Sequence, residues 1–568
     1  MRPFLVTGLQ AGKLPRWGLW LLCLLYVVPG LPGRDPWRYD DAAGFGVAWS
    51  MATGHAGGWL MPAIAGEPVP DEGPLPFWLA ALAIRLLPWL PAHTAAQAAA
   101  ALSLFVLFAA LWWATYRLAR RPGVQPVDPF DAKASAVDFG RAIADCAVLI
   151  LMATVGLVAR LHETSAEAHQ LTWVAIFLYG AARALDRPLA GGAIAGAAIA
   201  ASVCTRGLLP ASALLATALA LPLLGNGWRL VAGRWLTTTL AVGLPGALAW
   251  PLALALADTA PAREHLAAWL AWNGGQFTGL DATGLLDDLR TAPWYWWPAW
   301  PIAAWAVLRW RGRLDEPALA LPLVSALTLG AAAALSADSP AGQLLLPSAG
   351  LAMLAAIGLP TLRRSVTALI DWFAVMTYTL IGIIVWAYWL AWLAGSPPRM
   401  AAAAAAFSPG YTPQWEADKL AVGLLATIAW LALVRWRLAR HRPALWRPLA
   451  LSCGGLVLAW LLLMTLWLPA IDHRNTYRAV SEQVAARLPA LYDCVQTQGV
   501  DRAQRASLHY FGSLRLAGQP DQTCGWLLVT DLGEAARAPA RELQGWALNW
   551  EGARPRDRDQ RLRLYRRT

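Results

Sequence analysis

Residues 448–469 read PLALSCGGLVLAWLLLMTLWLP, a stretch without a single charged side chain that is long enough to cross a lipid bilayer as one helix. The chain as a whole is also strongly apolar. Hydrophobic residues make up 58% of its 568 residues and charged residues 14%, whereas soluble globular proteins carry roughly 25% charged residues. So few charges cannot solvate a surface of this size. The composition excludes a soluble globular protein, a disordered chain and a coiled coil, and it predicts a polytopic α-helical membrane protein.

About thirteen stretches are apolar and long enough to be transmembrane helices. They lie at 17–31, 95–116, 142–159, 170–186, 189–204, 208–225, 235–257, 294–310, 317–336, 343–361, 368–394, 420–434 and 448–469. The stretch 76–91 is not counted, because it is short, contains Arg85 and is broken by Pro88 and Pro91. We expect it to form a helix that lies in the membrane interface.

The distribution of basic residues predicts the orientation of the chain. If the N-terminus is cytoplasmic, the inner connections hold 22 Lys and Arg, and the outer connections up to residue 469 hold nine. The positive-inside rule then places the N-terminus in the cytoplasm of a bacterial cell, the protein in the inner membrane and the C-terminus in the periplasm. The first apolar stretch has features of a cleaved signal peptide, but no A-x-A-like site follows it, which favours a retained anchor.

Residues 470–568 differ from the rest because their charge is high and their apolar runs are short. Residues 507–511, 525–530 and 561–565 alternate as strands do, and 474–491 has the pattern of an amphipathic helix. We therefore divide the chain into a membrane domain, 1–469, and a small periplasmic α/β domain, 470–568. Cys494 and Cys524 are the only cysteines of this second domain, and an oxidising periplasm would allow them to form a disulfide.

The net charge of +11 does not indicate a nucleic-acid partner. Basic residues are scattered between apolar stretches and form no patch-sized run before the extreme C-terminus. The expected surroundings of the protein are lipid and periplasm.

The predicted first outer loop, residues 32–94, is far longer than a connection between two helices requires. It contains two acidic pairs, Asp40-Asp41 and Asp71-Glu72. Two such pairs can supply a general base together with a ligand for a metal or substrate. The alternative interpretation is that all four are ordinary solvated loop acids.

Further ionisable residues flank the outer ends of the predicted spans. His162, Glu167 and His169 lie between two spans, and Arg206 separates two apolar stretches that would otherwise merge. Charged groups close to the apolar zone are candidates for function. The alternatives are interfacial hydrogen bonds for the two histidines and an Arg206 side chain that extends to the lipid headgroups.

The sequence DDAAGFGVAWSM at 40–51 resembles the first-loop motif of bacterial GT-C glycosyltransferases, the family of 4-amino-4-deoxy-L-arabinose lipid A transferases and protein O-mannosyltransferases. DEGPLPFW at 71–78 is similar to a second motif of that family. Glu167 matches an acidic position, Thr205-Arg206-Gly207 resembles Thr-Lys-Gly, and Gln343 to Pro347 stands where the family has Arg-Tyr-Leu-Leu-Pro. The resemblance covers roughly residues 1–360. Two family cations are replaced, one by Glu72 and one at Gln343.

The resemblance implies transfer of a sugar from a polyprenyl-phosphate donor to an acceptor hydroxyl on lipid A, another glycolipid or glycan, or a protein. Asp40 would be the base, with Asp41 as the alternative, and Asp71 a second carboxylate that binds acceptor or metal. The implied substrate-binding residues are Glu72, His162, Glu167, Arg206 and Gln343. The sequence identifies no cofactor. A divalent metal is a candidate, with Asp71, His162 and His169 as its proposed ligands.

Two other functions fit the same composition. The first is a non-enzymatic transporter or flippase of lipid-linked sugars, which would favour ionisable residues deep within the spans and a symmetric repeat, and the sequence shows neither. The second is a degenerate GT-C protein that binds lipid without catalysis.

Overall fold

The computed structural model describes residues 11–12, 14–37, 39–54, 58–126, 134–277, 282–336, 343–439, 444–518, 522–555 and 557–568. Within these ranges the first half of the chain is mainly helical and also contains a two-stranded hairpin of β1 (Ala63–Ile64) and β2 (Glu67–Pro68) in the first loop. Its helices are α1 (Arg16–Val27), α2 (Asp40–Thr53), α3 (Leu75–Leu86), α4 (Ala92–Ala119), α5 (Ala136–Ala153), α6 (Leu157–Arg160), α7 (Ala166–Ala184), α8 (Pro188–Arg206), α9 (Leu208–Leu224), α10 (Asn226–Arg229), α11 (Ala232–Leu256), α12 (Ala260–Gly275) and α13 (Ala282–Tyr295).

The second half adds further long helices and then a small sheet. The helices are α14 (Ala299–Arg309), α15 (Pro317–Leu335), α16 (Ser348–Gly358), α17 (Arg364–Ala394), α18 (Pro398–Ala405), α19 (Ala417–Ala439), α20 (Arg447–Leu462), α21 (Leu468–Asn475), α22 (Arg478–Ala485), α23 (Arg502–Tyr510) and α24 (Glu534–Arg537). A π-helical turn, Leu463–Trp467, joins α20 to α21.

In the described part of the chain, seven helical segments are long and apolar enough to cross a membrane. These are Ala92–Ala119, Pro188–Arg206, Ala232–Leu256, Pro317–Leu335, Arg364–Ala394, Ala417–Arg437 and Arg447–Asn475. Four shorter helical segments, Arg16–Val27, Leu75–Leu86, Leu208–Leu224 and Ser348–Thr361, are also apolar. The chain is thus built from apolar helices as expected, while the number of thirteen spans stays a prediction.

Two predicted spans are interrupted by breaks in the helical backbone, and hydrogen bonds join the two breaks. The stretch 142–159 is interrupted where α5 ends at Ala153, and 294–310 is interrupted before α14 begins at Ala299. The N–H of Val155 donates to the Trp297 carbonyl (3.0 Å), and the N–H of Gly156 donates to the Tyr295 carbonyl (3.0 Å). These bonds satisfy backbone groups that leave the helical ladders.

Helix α17 presents a wide apolar face that no other part of the described chain covers. Its exposed side chains include Leu369, Trp372, Phe373, Met376, Leu380, Ile383 and Ile384. A contiguous apolar surface of this kind is unfavourable in water and suits contact with lipid.

Small residues allow the helices that carry the site to pack closely. Helix α8 lies against both α7 and α11, and a Cβ atom on Gly192 or Gly196 would overlap the backbone of α11. Glycine and alanine are common where membrane helices meet because they let two backbones approach. This packing fixes the position of α8, which ends at Arg206, next to α7, whose first turn contains Glu167.

The C-terminal part contains a four-stranded sheet in the order β3 (Val495–Gln498), β4 (Trp526–Leu532), β6 (Gln560–Arg567) and β5 (Trp546–Gly552). Strands β3 and β4 are parallel, and the other pairs are antiparallel. The predicted strands at 525–530 and 561–565 are confirmed as parts of β4 and β6. The helices that accompany the sheet agree with the expected α/β character of this part.

Two predictions for this part were wrong. Residues 507–510 belong to helix α23 and not to a strand, because Asp501 and Gln504 form a capping box that starts a helix. The stretch 474–491 is not one helix, because α21 ends at Asn475 and α22 begins at Arg478. At this break the Thr476 hydroxyl donates to Asp35 Oδ2 (3.1 Å), which ties the chain to the first loop.

Helix α23 packs directly on α2, so the sheet-containing part covers the first loop. A Cβ on Gly46 would overlap the Ala506 side chain, and the rings of Phe45 and Tyr510 are 4.8 Å apart. The buried Arg505 side chain donates through Nε to the Ile64 carbonyl (2.9 Å). The two parts of the chain are therefore joined by apolar packing and by a buried guanidinium.

Cys494 and Cys524 form a disulfide in the structure, and Cys23, Cys146, Cys204 and Cys453 are free and buried. We expect the unfolded, unreduced protein to take up a maleimide at four cysteines and the reduced protein at all six. Mass spectrometry of the labelled protein measures both numbers. Six labelled cysteines without reductant would contradict the disulfide. The argument that this part of the chain lies in an oxidising compartment would then lose its support.

Candidate active site

The acidic pair of the first loop marks the start of helix α2. Tyr39, the residue before it, has φ of 69°, a left-handed conformation that residues other than glycine rarely adopt. Asp40 and Asp41 then form the first helical turn, where the helix dipole favours negative charge. The two carboxylates point into different surroundings.

Asp41 is a buried structural residue in this arrangement, with 1% of its side chain exposed. Its Oδ1 accepts a hydrogen bond from the Thr164 N–H (2.7 Å), and its Oδ2 accepts one from the Trp37 N–H (3.0 Å). Arg34 Nη2 lies 3.3 Å from the same Oδ2. These contacts connect the first loop to the segment after α6 and leave Asp41 little access to a substrate.

Asp40, in contrast, is half exposed and lines a cavity. Its Oδ2 lies 3.2 Å from Arg160 Nη1, and the same nitrogen lies 3.1 Å from Glu163 Oε2. Burial raises the pKa of Glu163 to about 8, despite the neighbouring guanidinium. Arg160 therefore pairs with one oxygen of Asp40, while about half of the Asp40 side chain stays exposed.

Glu72, Arg206 and Glu167 form a second charged cluster at the C-terminal end of α8. Arg206 Nη1 donates to Glu72 Oε1 (2.8 Å), and Arg206 Nη2 lies 3.9 Å from Glu167 Oε1. Burial raises the pKa of Glu72 to about 7, although Arg206 opposes that change. Gly73 makes the approach possible, because its N–H donates to the Thr205 carbonyl (3.0 Å) and a Cβ there would overlap the Cys204 backbone.

Asp71 does not join this cluster. Its Oδ2 accepts a hydrogen bond from Arg502 Nη1 (2.6 Å), and Arg502 is the first residue of α23 in the C-terminal part. The remaining sequence candidate, Gln343, is buried but does not line the cavity described next.

The cavity has a volume of about 540 Å³ and lies between the first loop and the start of α23. Its polar lining consists of Tyr39, Asp40, Glu72, Ser165, Asp501 and Arg502. The described residues also form a larger cavity of about 650 Å³, lined by apolar side chains such as Ile302 and Phe373 and by no carboxylate. The smaller cavity combines titratable groups with a concave shape, so it is the better candidate for a chemical site.

Sequence reasoning did not find Ser165, Asp501 or Arg502. The capping pattern of Asp501 and Gln504 was readable as a helix start. However, nothing in the sequence indicates that this helix begins opposite Asp71, which lies 431 residues away from Arg502.

The proposed metal ligands do not fit a metal site. His162 Nδ1 and Nε2 lie 2.5 Å from the Val158 carbonyl oxygen and 2.8 Å from the Tyr26 carbonyl oxygen, so both face the backbone. His169 Nδ1 lies 3.1 Å from the Ser165 carbonyl oxygen, and Asp71 is paired with Arg502. Across the described ranges, no three His, Cys, Asp or Glu side chains are grouped as a metal site.

Comparison with known proteins identifies the fold. No family model matches the chain, and no curated protein matches it in sequence. The crystal structure of ArnT from Cupriavidus metallidurans bound to undecaprenyl phosphate is similar, with a TM-score of 0.67 and 14% identity over 96% of this chain and 97% of that one. The apo crystal structure of the same ArnT has a TM-score of 0.64 and 14% identity, over 96% of each chain. ArnT is a GT-C glycosyltransferase, and the described chain has the fold of ArnT over nearly its whole length.

Proposed function

We propose that this protein is a glycosyltransferase that moves a sugar from a polyprenyl-phosphate donor to an acceptor hydroxyl at the periplasmic face of the bacterial inner membrane. The observation that carries the proposal is the half-exposed Asp40 carboxylate, held by Arg160 at a cavity of an ArnT-like fold. Undecaprenyl phosphate, which is bound to the similar ArnT, is the donor's leaving group in this proposal.

Asp40 is the base of the proposed reaction. It takes the proton of the acceptor hydroxyl while that oxygen forms a bond to the anomeric carbon of the sugar. The bond between the anomeric carbon and the phosphate oxygen breaks, and its electron pair leaves with the polyprenyl phosphate. Arg160 contributes by holding the carboxylate in one orientation, which reduces the entropy lost on the way to the transition state.

Arg206 is the proposed partner of the leaving phosphate. Phosphate is a good leaving group and needs neutralisation of its charge more than it needs a proton. A guanidinium can donate two parallel hydrogen bonds to phosphate oxygens. In the structure Arg206 binds Glu72, which itself lines the cavity, so Glu72 competes with the donor for this cation.

This competition makes donor binding depend on pH. The pKa of Glu72 is raised to about 7, so Glu72 is largely neutral at pH 6 and largely anionic at pH 8. If only the neutral form releases Arg206, we expect the KM for the donor to rise about tenfold between these pH values. The phosphodiester of the donor keeps one charge throughout this range.

Steady-state kinetics of the wild type and of Glu72→Gln test this dependence. The glutamine does not titrate, so the donor KM of the variant is expected to change much less with pH. Glu163 also titrates near this range but is present in both proteins, so their difference reports on Glu72. An equally steep rise of KM in both would contradict the proposed competition.

The glycans and lipids of cells with and without the protein identify the acceptor and the sugar. Mass spectrometry of envelope glycans and of lipid A should show a glycosylated species that is lost when the gene is deleted and restored by the wild type. An unchanged set of glycans and lipids, with altered distribution of a lipid-linked sugar across the membrane, would support the transporter instead.

A further inference from the structure

Helix α23 begins at the wall of the cavity. Its capping residue, Asp501, accepts a hydrogen bond from the Gln504 N–H (2.7 Å), and Gln504 Oε1 accepts one from the Asp501 N–H (3.1 Å). The first N–H groups of a helix have no partner within the helix, and the dipole gives that end a partial positive charge. The two residues that carry these groups here, Arg502 and Ala503, both line the cavity.

Arg502 adds a full positive charge at the same place. Among the residues that the structure shows lining the cavity, Arg502 is the single Lys or Arg. Arg160 and Arg206 instead bind two of the lining acids, Asp40 and Glu72. The pair that Arg502 makes with Asp71 is partly exposed, at 40% and 36% of the two side chains. Exposed pairs contribute little to stability, so an incoming anion can replace Asp71 at low cost.

Ser165 supplies an independent indication of a ligand. Ser165 lines the cavity, and only 3% of the residue is exposed to solvent. Its Oγ makes no hydrogen bond within the described part of the chain. Buried hydroxyl groups are nearly always hydrogen-bonded, so an open donor at this position suits a bound polar group.

We propose that a lipid-borne phosphate binds in this cavity to Arg502, to the first N–H groups of α23 and to the Ser165 hydroxyl. This inference rests on the proposed function and adds the C-terminal part to the substrate site. A phosphate offers several acceptor oxygens, which match a guanidinium, helix amides and a hydroxyl. Of the three carboxylates at the cavity, Asp40 is paired with Arg160 and Asp501 is held by its own helix. Glu72 is paired with Arg206, or is neutral when the donor takes Arg206 as proposed above.

Asp71 then competes with the phosphate for Arg502. It pairs with the Arg502 side chain when no ligand is bound, and the phosphate takes its place. The phosphate comes either from the polyprenyl donor, which would then contact both Arg206 and Arg502, or from a phosphate-bearing glycolipid acceptor, because both present the same chemistry to Arg502.

Binding to the full-length protein in neutral phosphatidylcholine nanodiscs tests the inference without requiring turnover. The probes are polyprenyl phosphate in one arm, lipid A in a second and inorganic phosphate in a third. We expect Arg502→Gln to raise the Kd of a lipid phosphate about tenfold, Arg502→Lys to raise it less, and Ser165→Ala to raise it about threefold. Asp71→Asn is expected to leave that Kd unchanged or lower it.

Arg478→Gln is the matched control. Arg478 also joins the C-terminal part to the first loop, since its Nε donates to Asp35 Oδ2 (2.8 Å), but it does not line the cavity. We expect it to change thermal stability without changing the Kd. The arm in which Arg502→Gln has its effect, polyprenyl phosphate or lipid A, identifies the source of the phosphate.

Two outcomes overturn the inference in different ways. If the wild type binds a lipid phosphate and Arg502→Gln binds it equally well, Arg502 serves only to join the C-terminal part to the first loop. The proposed function is then not contradicted. If the wild type binds neither lipid, both the inference and the proposed function fail.

Discussion

Replacement of Asp40 by asparagine is expected to lower kcat for sugar transfer by a factor of about 10² to 10⁴, the usual contribution of a general base. The amide keeps the size of the side chain but cannot take the acceptor proton. Donor KM and polyprenyl phosphate binding should change little, because Asp40 is assigned to the acceptor side. Stability should also be nearly unchanged, since the Asp40–Arg160 pair is partly exposed. Transfer assays and thermal unfolding of the purified variant measure these quantities.

Two further substitutions control this prediction. Glu416→Gln removes an acid that pairs with Lys419 (2.6 Å) outside the cavity, and its activity should stay near that of the wild type. Asp41→Asn should act through stability instead. It leaves the buried Arg34 guanidinium without its counter-charge, a loss on the order of 3–5 kcal/mol. A fully active Asp40→Asn together with an inactive but stable Asp41→Asn would transfer the role of base to Asp41.

Arg206→Gln is expected to lower kcat/KM for the donor by a factor of about 10² to 10³, the range seen when one group that stabilises transition-state charge is removed. The glutamine cannot neutralise the leaving phosphate, and the loss also leaves Glu72 and Glu167 without their shared cation. Arg206→Lys should recover part of the activity, because the charge returns without the second hydrogen bond.

Arg263→Gln is the control for Arg206. Arg263 is 65% exposed and lies 3.6 Å from Asp258, so its replacement should leave donor kinetics unchanged. Unchanged kcat/KM in Arg206→Gln would remove Arg206 from the donor site. Arg206→Gln could instead lower kcat/KM and the unfolding temperature together, with a stabilising lipid restoring both. That result would show that Arg206 acts only through the fold.

Much of the fold was predictable because its signals are local. Uninterrupted apolar runs such as 448–469 identify helices without knowledge of their neighbours. The disulfide was predictable because Cys494 and Cys524 are the only cysteines in their part of the chain. The helix at 507–510 was mistaken for a strand because a run of five residues fits either period, and its capping box lay a few residues upstream.

The site was less predictable because its contacts join distant segments. Asp40 and Asp41 are adjacent and chemically identical, and only the segment that carries Thr164 decides that Asp41 is buried and Asp40 stays accessible. The partner of Asp71 comes from a helix 431 residues away. His162 Nε2 and His169 Nδ1 each lie within hydrogen-bond distance of a backbone carbonyl oxygen. A sequence does not show such contacts.

The most direct measurement of the central claim is incubation of the purified, lipid-reconstituted protein with a polyprenyl-phosphate sugar, with and without a lipid acceptor. We predict that the wild type releases polyprenyl phosphate, slowly by hydrolysis without acceptor and faster with one, in amounts equal to the sugar transferred. Asp40→Asn should release almost none while still binding polyprenyl phosphate. Equal release by the wild type and Asp40→Asn, or movement of the intact donor across the bilayer without release, would contradict the assignment of this cavity as a glycosyltransferase active site.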